Sequence, residues 1–146
     1  MALKLIKGVW FLSMLVALVA LLYVYAGLPQ EVIVQDEGGE RVAISNEAFF
    51  YIVMFLMAIA NAMVYAMAKV FKNNEDLRTW FYGLVTTLNI FFVIGMNMVS
   101  LYNSNEKYDF ARIDFIIYGS VALIIVWAIS WPIYSLFKRL ISKPSI

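Results

Sequence analysis

Four long stretches without aspartate, glutamate, lysine or arginine restrict the possible fold more than any other feature of the sequence. They are 23, 21, 27 and 23 residues long: Gly8–Gln30, Ala48–Ala68, Thr79–Asn105 and Phe115–Phe137. A helix needs about 20 mostly apolar residues to cross a bilayer, and a spanning segment must satisfy its backbone internally. None of the stretches alternates like a barrel strand. The sequence therefore predicts an all-α membrane protein with transmembrane helices at about residues 8–28, 47–70, 79–102 and 113–137.

Composition supports an apolar solvent for this chain. Hydrophobic residues make up 64% of the 146 residues and charged residues 14%, whereas a soluble domain has about half and a quarter. We expect a single four-helix transmembrane domain over residues 1–146. The net charge of +1 lacks the excess of basic residues that is typical of a nucleic-acid-binding protein.

The first apolar stretch could also be a signal peptide, because Lys4 and Lys7 precede it and Val24-Tyr25-Ala26 resembles a cleavage site. However, the apolar run from Val9 to Ala26 is longer than a typical signal-peptide core. We therefore interpret it as a retained first span.

Basic residues are distributed unevenly between the two sides of a four-span topology. Eight lie on the side of the termini: Lys4, Lys7, Lys69, Lys72, Arg78, Lys138, Arg139 and Lys143. Only Arg41, Lys107 and Arg112 lie on the other side, together with eight of the ten acidic residues. Because basic loops stay in the cytoplasm, both termini are predicted to be cytoplasmic.

The loop between the first two spans predicts a small outer β-hairpin at about residues 31–45. Two β-prone runs flank Asp36–Glu40, and a three-residue turn at Glu37–Gly39 would place Gly39 in the left-handed region. In that register Val34 pairs with Val42 and Val32 with Ile44, while Gln35 and Arg41 share the opposite face. The hairpin is either a connector or a docking element.

The residue types exclude several chemistries. Without cysteine or histidine the chain has no thiol chemistry, no zinc thiolate site and no histidine base or haem ligand. Ionised residues, which usually mark function inside a membrane, are absent from the four charge-free stretches that form the apolar part of the spans. We therefore expect no catalytic residues, no metal, no cofactor and no enzymatic activity.

Neutral polar residues inside the spans allow three interpretations. They are helix-packing contacts, since asparagine can hydrogen-bond between helices, or the lining of a polar groove between the second and third spans, or contacts with neighbouring subunits. The candidate groove residues are Asn61, Tyr65, Thr86, Asn89 and Asn97. Asn97 is predicted to face a neighbouring helix rather than lipid.

Two surfaces outside the spans are further candidates. A possible outer docking surface comprises Val34, Gln35, Arg41, Val42, Asp109 and Arg112, although Arg112 could instead pair with Asp109 or with an acid of the first loop. A possible lipid-headgroup anchor comprises Lys138, Arg139 and Lys143.

The order Leu28-Pro29, Val32, Val34, Gly38-Gly39-Glu40, Ser45, Ala48-Phe49-Phe50 resembles the small domain of unknown function at the start of SdpI-type membrane proteins. The resemblance covers roughly residues 9–70 and implies an immunity or signal-relay role. The whole chain also resembles four-span bacterial membrane proteins of unknown function, which implies a membrane location.

These observations favour a non-catalytic protein of the bacterial inner (plasma) membrane, acting as an accessory, scaffold or assembly subunit through helix and outer-loop contacts. Its expected partners are membrane lipids and other membrane subunits or further copies of itself, and no nucleic acid. The alternatives are a small transporter, channel or lipophilic-ligand binder that uses the neutral groove, and an SdpI-like immunity or signal-relay protein.

Overall fold

The computed structural model describes residues 2–104 and 110–142, and only the backbone of residues 35–37, 41 and 110–113. Within these ranges the chain forms four α-helices and one two-stranded antiparallel sheet. The elements in chain order are α1 (Ala2–Gly27), β1 (Glu31–Glu37), β2 (Glu40–Ser45), α2 (Asn46–Val70), α3 (Glu75–Tyr102) and α4 (Phe110–Ile141). Each helix is long and apolar enough to cross a membrane. The prediction of four long apolar helices with a hairpin between the first two is confirmed.

The predicted spans are shorter than three of the helices. α1 begins at Ala2 instead of residue 8, α3 begins at Glu75 instead of residue 79, and α4 covers 110–141 instead of 113–137. The absence of charge identifies only the apolar part of a helix. Helical hydrogen bonding continues through charged residues beyond that part, so the helices extend past the charge-free stretches.

Side-chain caps begin α2 and α3. Ser45 Oγ accepts a hydrogen bond from the Ala48 amide at 3.1 Å, and Asn74 Oδ1 accepts one from the Leu77 amide at 3.0 Å. Each bond satisfies an amide that has no partner within its helix. Acidic residues in both first turns also suit the positive end of the helix dipole.

The third helix is the centre of the arrangement. α3 packs against α1, α2 and α4, most extensively against α1, and α1 and α3 run parallel. Among the described residues, α4 contacts α3 alone. The start of α1, the α2–α3 loop and the end of α4 form what we call the terminus end, and the hairpin marks the opposite, hairpin end.

Two apolar clusters hold α1, α2 and α3 together. At the terminus end, Trp10 of α1 packs with Val64 of α2 and with Phe81, Tyr82 and Val85 of α3. At the hairpin end, the cluster is formed by Ala17, Leu21, Val24, Leu28, Val32, Phe49, Met57 and Met96. Val32 is completely buried there, so the inner face of β1 is part of the core.

The register of the hairpin differs from the prediction at its tip. Gly38 and Gly39 both have positive φ, of 63° and 84°, so the turn has two residues and Glu37 pairs with Glu40. Positive φ at both central residues is the requirement of a type I′ turn. The predicted three-residue turn at Glu37–Gly39 was therefore wrong.

A β-bulge between Ile33 and Gln35 compensates for the shorter turn. Gln35 pairs with Val42, whereas Val34 has no partner in the ladder. The predicted Val34–Val42 pair was therefore wrong, and the predicted shared face of Gln35 and Arg41 concerns side chains that lie outside the described residues. Beyond the bulge the register returns to the predicted one, and the pairing of Val32 with Ile44 is confirmed.

Candidate functional site

A buried network of neutral polar side chains joins α1, α2 and α3 between the two apolar clusters. The amides of Asn61 and Asn89 face each other and exchange two hydrogen bonds, of 3.0 and 2.9 Å. Trp10 Nε1 donates to Asn61 Oδ1 at 3.0 Å, and Asn89 Nδ2 donates to Ser13 Oγ at 3.1 Å. Three helices are thus connected by bonds between four side chains.

The network uses nearly all of its own hydrogen-bonding capacity. The second amide hydrogen of Asn61 goes to the Met57 carbonyl at 2.7 Å, and Ser13 Oγ donates to the Trp10 carbonyl at 2.7 Å. Every N–H and O–H of Trp10, Ser13, Asn61 and Asn89 side chains therefore has an acceptor. With no titratable group among them, the four side chains can orient helices but cannot move a proton.

At this level the amide pair occupies the space between α2 and α3, and a small cavity of about 130 Å³ lies beside Asn89 and Ser13, between α1 and α3. Asn61 and Asn89 are 7% and 0% exposed. Thr86 is also buried, but its hydroxyl donates to the Tyr82 carbonyl of its own helix at 2.8 Å. Tyr65 lies on the exposed side of α2, where its ring meets the edge of Trp10. The structure therefore brings together only two of the five candidate groove residues.

The prediction that Asn97 faces a neighbouring helix was wrong. Its side chain is exposed, and Nδ2 donates to the Val93 carbonyl one turn earlier in α3, at 2.7 Å. An asparagine amide can bond to its own helix in this way, and no partner helix is then needed.

Trp10 and Ser13 were missing from the predicted set. Trp10 lies near the start of an apolar stretch, a position that is also typical of aromatic residues at a membrane interface. The available signal was their three-residue spacing, which places both side chains on one face of α1.

At the hairpin end, the Asn103 side chain hydrogen-bonds to the backbone of β1 in the way that a neighbouring strand would. Its Oδ1 accepts a hydrogen bond from the Ile33 amide at 2.8 Å, and its Nδ2 donates to the Ile33 carbonyl at 3.1 Å. The same Nδ2 also donates to the Val99 carbonyl of α3 at 2.8 Å. Together with buried Val32, these bonds fix β1 to the end of α3. The sequence placed Asn103 beyond the apolar core but gave no sign of this contact.

The predicted outer docking surface is described only in part. Val34 and Val42 are both partly exposed, at 43% and 46%. The side chains of Gln35, Arg41 and Arg112 and the whole of Asp109 lie outside the described residues. β2 pairs with β1 alone within the described sheet, so its other edge carries no strand.

The basic residues that were predicted to be cytoplasmic lie together at the terminus end, as far as the structure describes them. Lys138 Nζ contacts Asp76 Oδ2 at 3.2 Å, which joins the end of α4 to the start of α3. Both side chains are exposed, so the pair contributes little stability. Of the other two predicted anchors, Arg139 is exposed and Lys143 lies outside the described residues.

The contact between α3 and α4 depends on a reciprocal pair of tryptophans. Trp80 Nε1 donates to the Trp127 carbonyl, and Trp127 Nε1 donates to the Trp80 carbonyl, both at 2.9 Å. The Trp127 ring lies over Gly83, and a Cβ atom at Gly83 would overlap it. A glycine opposite a tryptophan is therefore what allows α4 to approach α3 here.

Comparison of the chain with protein-family models, with curated proteins and with solved structures gives no match.

Proposed function

We propose that this chain is a non-catalytic multi-pass protein of a bacterial inner membrane, with both termini in the cytoplasm, that acts as an accessory or scaffold subunit. Its docking element would be the hairpin on the outer side. The orientation is supported by the clustering of Lys4, Lys7, Lys69, Lys72, Arg78, Lys138 and Arg139 at the terminus end.

The attachment of the hairpin is the observation that carries the proposal. An isolated two-stranded hairpin is marginally stable in water. Here the burial of Val32 and the two bonds between Asn103 and the Ile33 backbone hold it in one orientation. A pre-ordered element loses less conformational entropy when it binds, and the unpaired edge of β2 can accept a strand from a partner.

The alternative of a transporter or channel loses the feature that suggested it. Asn61 and Asn89 bond to each other and to α1, and the cavity of about 130 Å³ beside Asn89 lies between α1 and α3 rather than between α2 and α3. An SdpI-like immunity or signal-relay role would use the same hairpin surface and would be tested by the same experiment.

A site-specific photo-crosslinker tests the docking role. A benzophenone side chain at Val42 in the native membrane should give one discrete crosslinked product, and the same group at exposed Val121 on α4 should not. Asn103→Leu, which leaves the exposed face of the hairpin unchanged, should reduce that product at least severalfold. An unchanged product in Asn103→Leu, or equal products from both positions, would contradict the proposal.

A further inference from the structure

A cleft of about 500 Å³ lies at the terminus end between α3 and α4, next to Ala2 of α1. Four aromatic rings and two carboxylates line it: Trp80, Trp127, Trp131, Tyr134, Glu75 and Asp76. Three of the rings form a continuous wall, because the Trp131 centroid lies 5.7 Å from that of Trp80 and 5.8 Å from that of Tyr134. This cleft is separate from both the amide network and the hairpin.

The cleft offers acceptors and aromatic faces but almost no free donors. The indole N–H groups of Trp80 and Trp127 are used on each other's carbonyls. The Thr79 hydroxyl donates to the backbone carbonyl of Glu75, and the Ser130 hydroxyl donates to the backbone carbonyl of Trp127. The Tyr134 hydroxyl donates to the carboxylate of Asp76. Of the side-chain donors around the cleft, the Trp131 indole alone has no described acceptor. Such a site favours a ligand that brings positive charge and needs no donor from the protein.

Glu75 leaves an unpaired negative charge at the cleft, and Asp76, whose charge is paired with Lys138, adds an oxygen acceptor. Tyr134 and Lys138 both donate to Oδ2 of Asp76, and no described side chain donates to its Oδ1. Glu75 is exposed and has no ion pair among the described residues. A cation held against tryptophan and tyrosine faces gains a cation–π attraction in addition to these charges.

The surroundings of the cleft match the rest of a phospholipid. Lys138 lies beside Asp76 and also lines a second concavity with Lys69 and Lys72. An ammonium at Asp76 and a phosphate at these lysines would follow the charge pattern of a zwitterionic headgroup. Val126 lines the cleft and is an exposed apolar residue of α4, so an acyl chain can lie against it.

We propose that this cleft binds a phospholipid whose headgroup ends in an ammonium group, with the ammonium between the Trp131 face and the carboxylates of Glu75 and Asp76. The inference depends on the helices lying in a bilayer and not on the docking role of the hairpin. An anionic lipid lacks the ammonium, and the unpaired carboxylate of Glu75 repels its headgroup.

Native mass spectrometry of the full chain, released from detergent with equal amounts of phosphatidylethanolamine and phosphatidylglycerol of identical acyl chains, tests the proposal. The chain should retain phosphatidylethanolamine preferentially. Trp131→Leu and Glu75→Gln should each weaken that preference about threefold to tenfold, since each removes one interaction with the cation. Tyr51→Leu, which removes an exposed aromatic residue near the start of α2 at the hairpin end, should leave the lipid preference unchanged.

Dodecyltrimethylammonium bromide separates the two parts of the headgroup, because it carries the ammonium without the phosphate. It should displace bound phosphatidylethanolamine, and dodecyl maltoside at the same concentration should not. Equal retention of the two lipids, or a preference that survives both cleft variants, would overturn the proposal. The proposal would also be overturned if the chain retained a second copy of itself and no lipid. Circular dichroism identifies a variant that has lost its helices, and Glu75→Gln, at an exposed position, then provides the decisive comparison.

Discussion

Asn61 of α2 and Asn89 of α3 lie amide to amide in the middle of the helices and exchange two hydrogen bonds. This pair is the centre of the polar network, and the bonds to Trp10 and Ser13 extend it to α1. The free energy of apolar packing against lipid depends little on how a helix is rotated about its axis. Amides that must find each other inside an apolar medium fix the rotation of both helices and their relative depth.

We predict that Asn89→Ala destabilises the fold by about 1–3 kcal/mol, because one buried N–H of the Asn61 amide loses its acceptor and Asn61 Oδ1 loses one of its two donors. Unfolding in mixed micelles, followed by circular dichroism as the fraction of dodecyl sulfate rises, would measure the change. Asn97→Ala is the matched control and should shift the midpoint little, since Asn97 is exposed and bonds only to its own helix.

The double variant Asn61→Ala/Asn89→Ala should be less destabilised than the sum of the two single variants. Removing both amides leaves neither without its partner, and the Trp10 N–H loses its acceptor already in Asn61→Ala alone. A coupling of about 1 kcal/mol or more is therefore expected from the double-mutant cycle. Additive effects would show that the two amides do not depend on each other.

We predict that Gly83→Ala separates α4 from α3, because the new methyl group overlaps the Trp127 ring. The expected cost is about 1–3 kcal/mol, typical of overpacking, and should appear as faster proteolysis or deuterium exchange in α4. Gly95→Ala is the control on the same helix. A Cβ there meets no atom within 4 Å, so that variant should be neutral or stabilised by up to about 1 kcal/mol.

Trp127→Ala provides a second comparison for Gly83. It removes the ring that the alanine methyl would meet, so Gly83→Ala should cost little more in that background. If Gly83→Ala cost as much free energy of unfolding in the Trp127→Ala background as in the native chain, Gly83 would be required for a reason other than the Trp127 ring.

We predict that Asn103→Leu loosens the hairpin without unfolding the helices. Its amide makes both bonds to the Ile33 backbone, and an unsatisfied backbone amide then becomes open to water. Deuterium exchange at Ile33 should accelerate about tenfold or more, whereas exchange in the middle of α3 stays the same. Ser104→Ala is a suitable control, since the Ser104 hydroxyl bonds to the Leu101 carbonyl and not to the hairpin.

The helices could be predicted from the sequence because charge is excluded from an apolar core whatever the tertiary contacts are. Contacts between helices do not follow from that rule. Asn61, Asn89 and Asn97 have the same chemistry and similar apolar neighbours, and only helix rotation decides that the first two meet and the third is exposed.

The hairpin shows the same division between local and long-range information. Two adjacent glycines and flanking β-prone residues predict strands and a turn. The bulge after Ile33 was not predictable from these residues, and it lies beside the residue that Asn103 binds from 70 positions away. A side chain from another element thus meets the hairpin where its local pairing changes.

The native absence of cysteine makes the predicted orientation directly testable. We expect a single cysteine at Ser142, just beyond α4, to react with a membrane-impermeant maleimide only after the cell membrane is opened, because the basic terminus end should face the cytoplasm. A single cysteine at Glu40, exposed at the hairpin turn, should react in cells whose inner membrane is intact. Replacing Lys69 and Lys72 by glutamate removes part of the charge asymmetry and should increase the fraction of inverted molecules. Labelling of Ser142→Cys in intact cells would reverse the assignment of sides and place the hairpin in the cytoplasm.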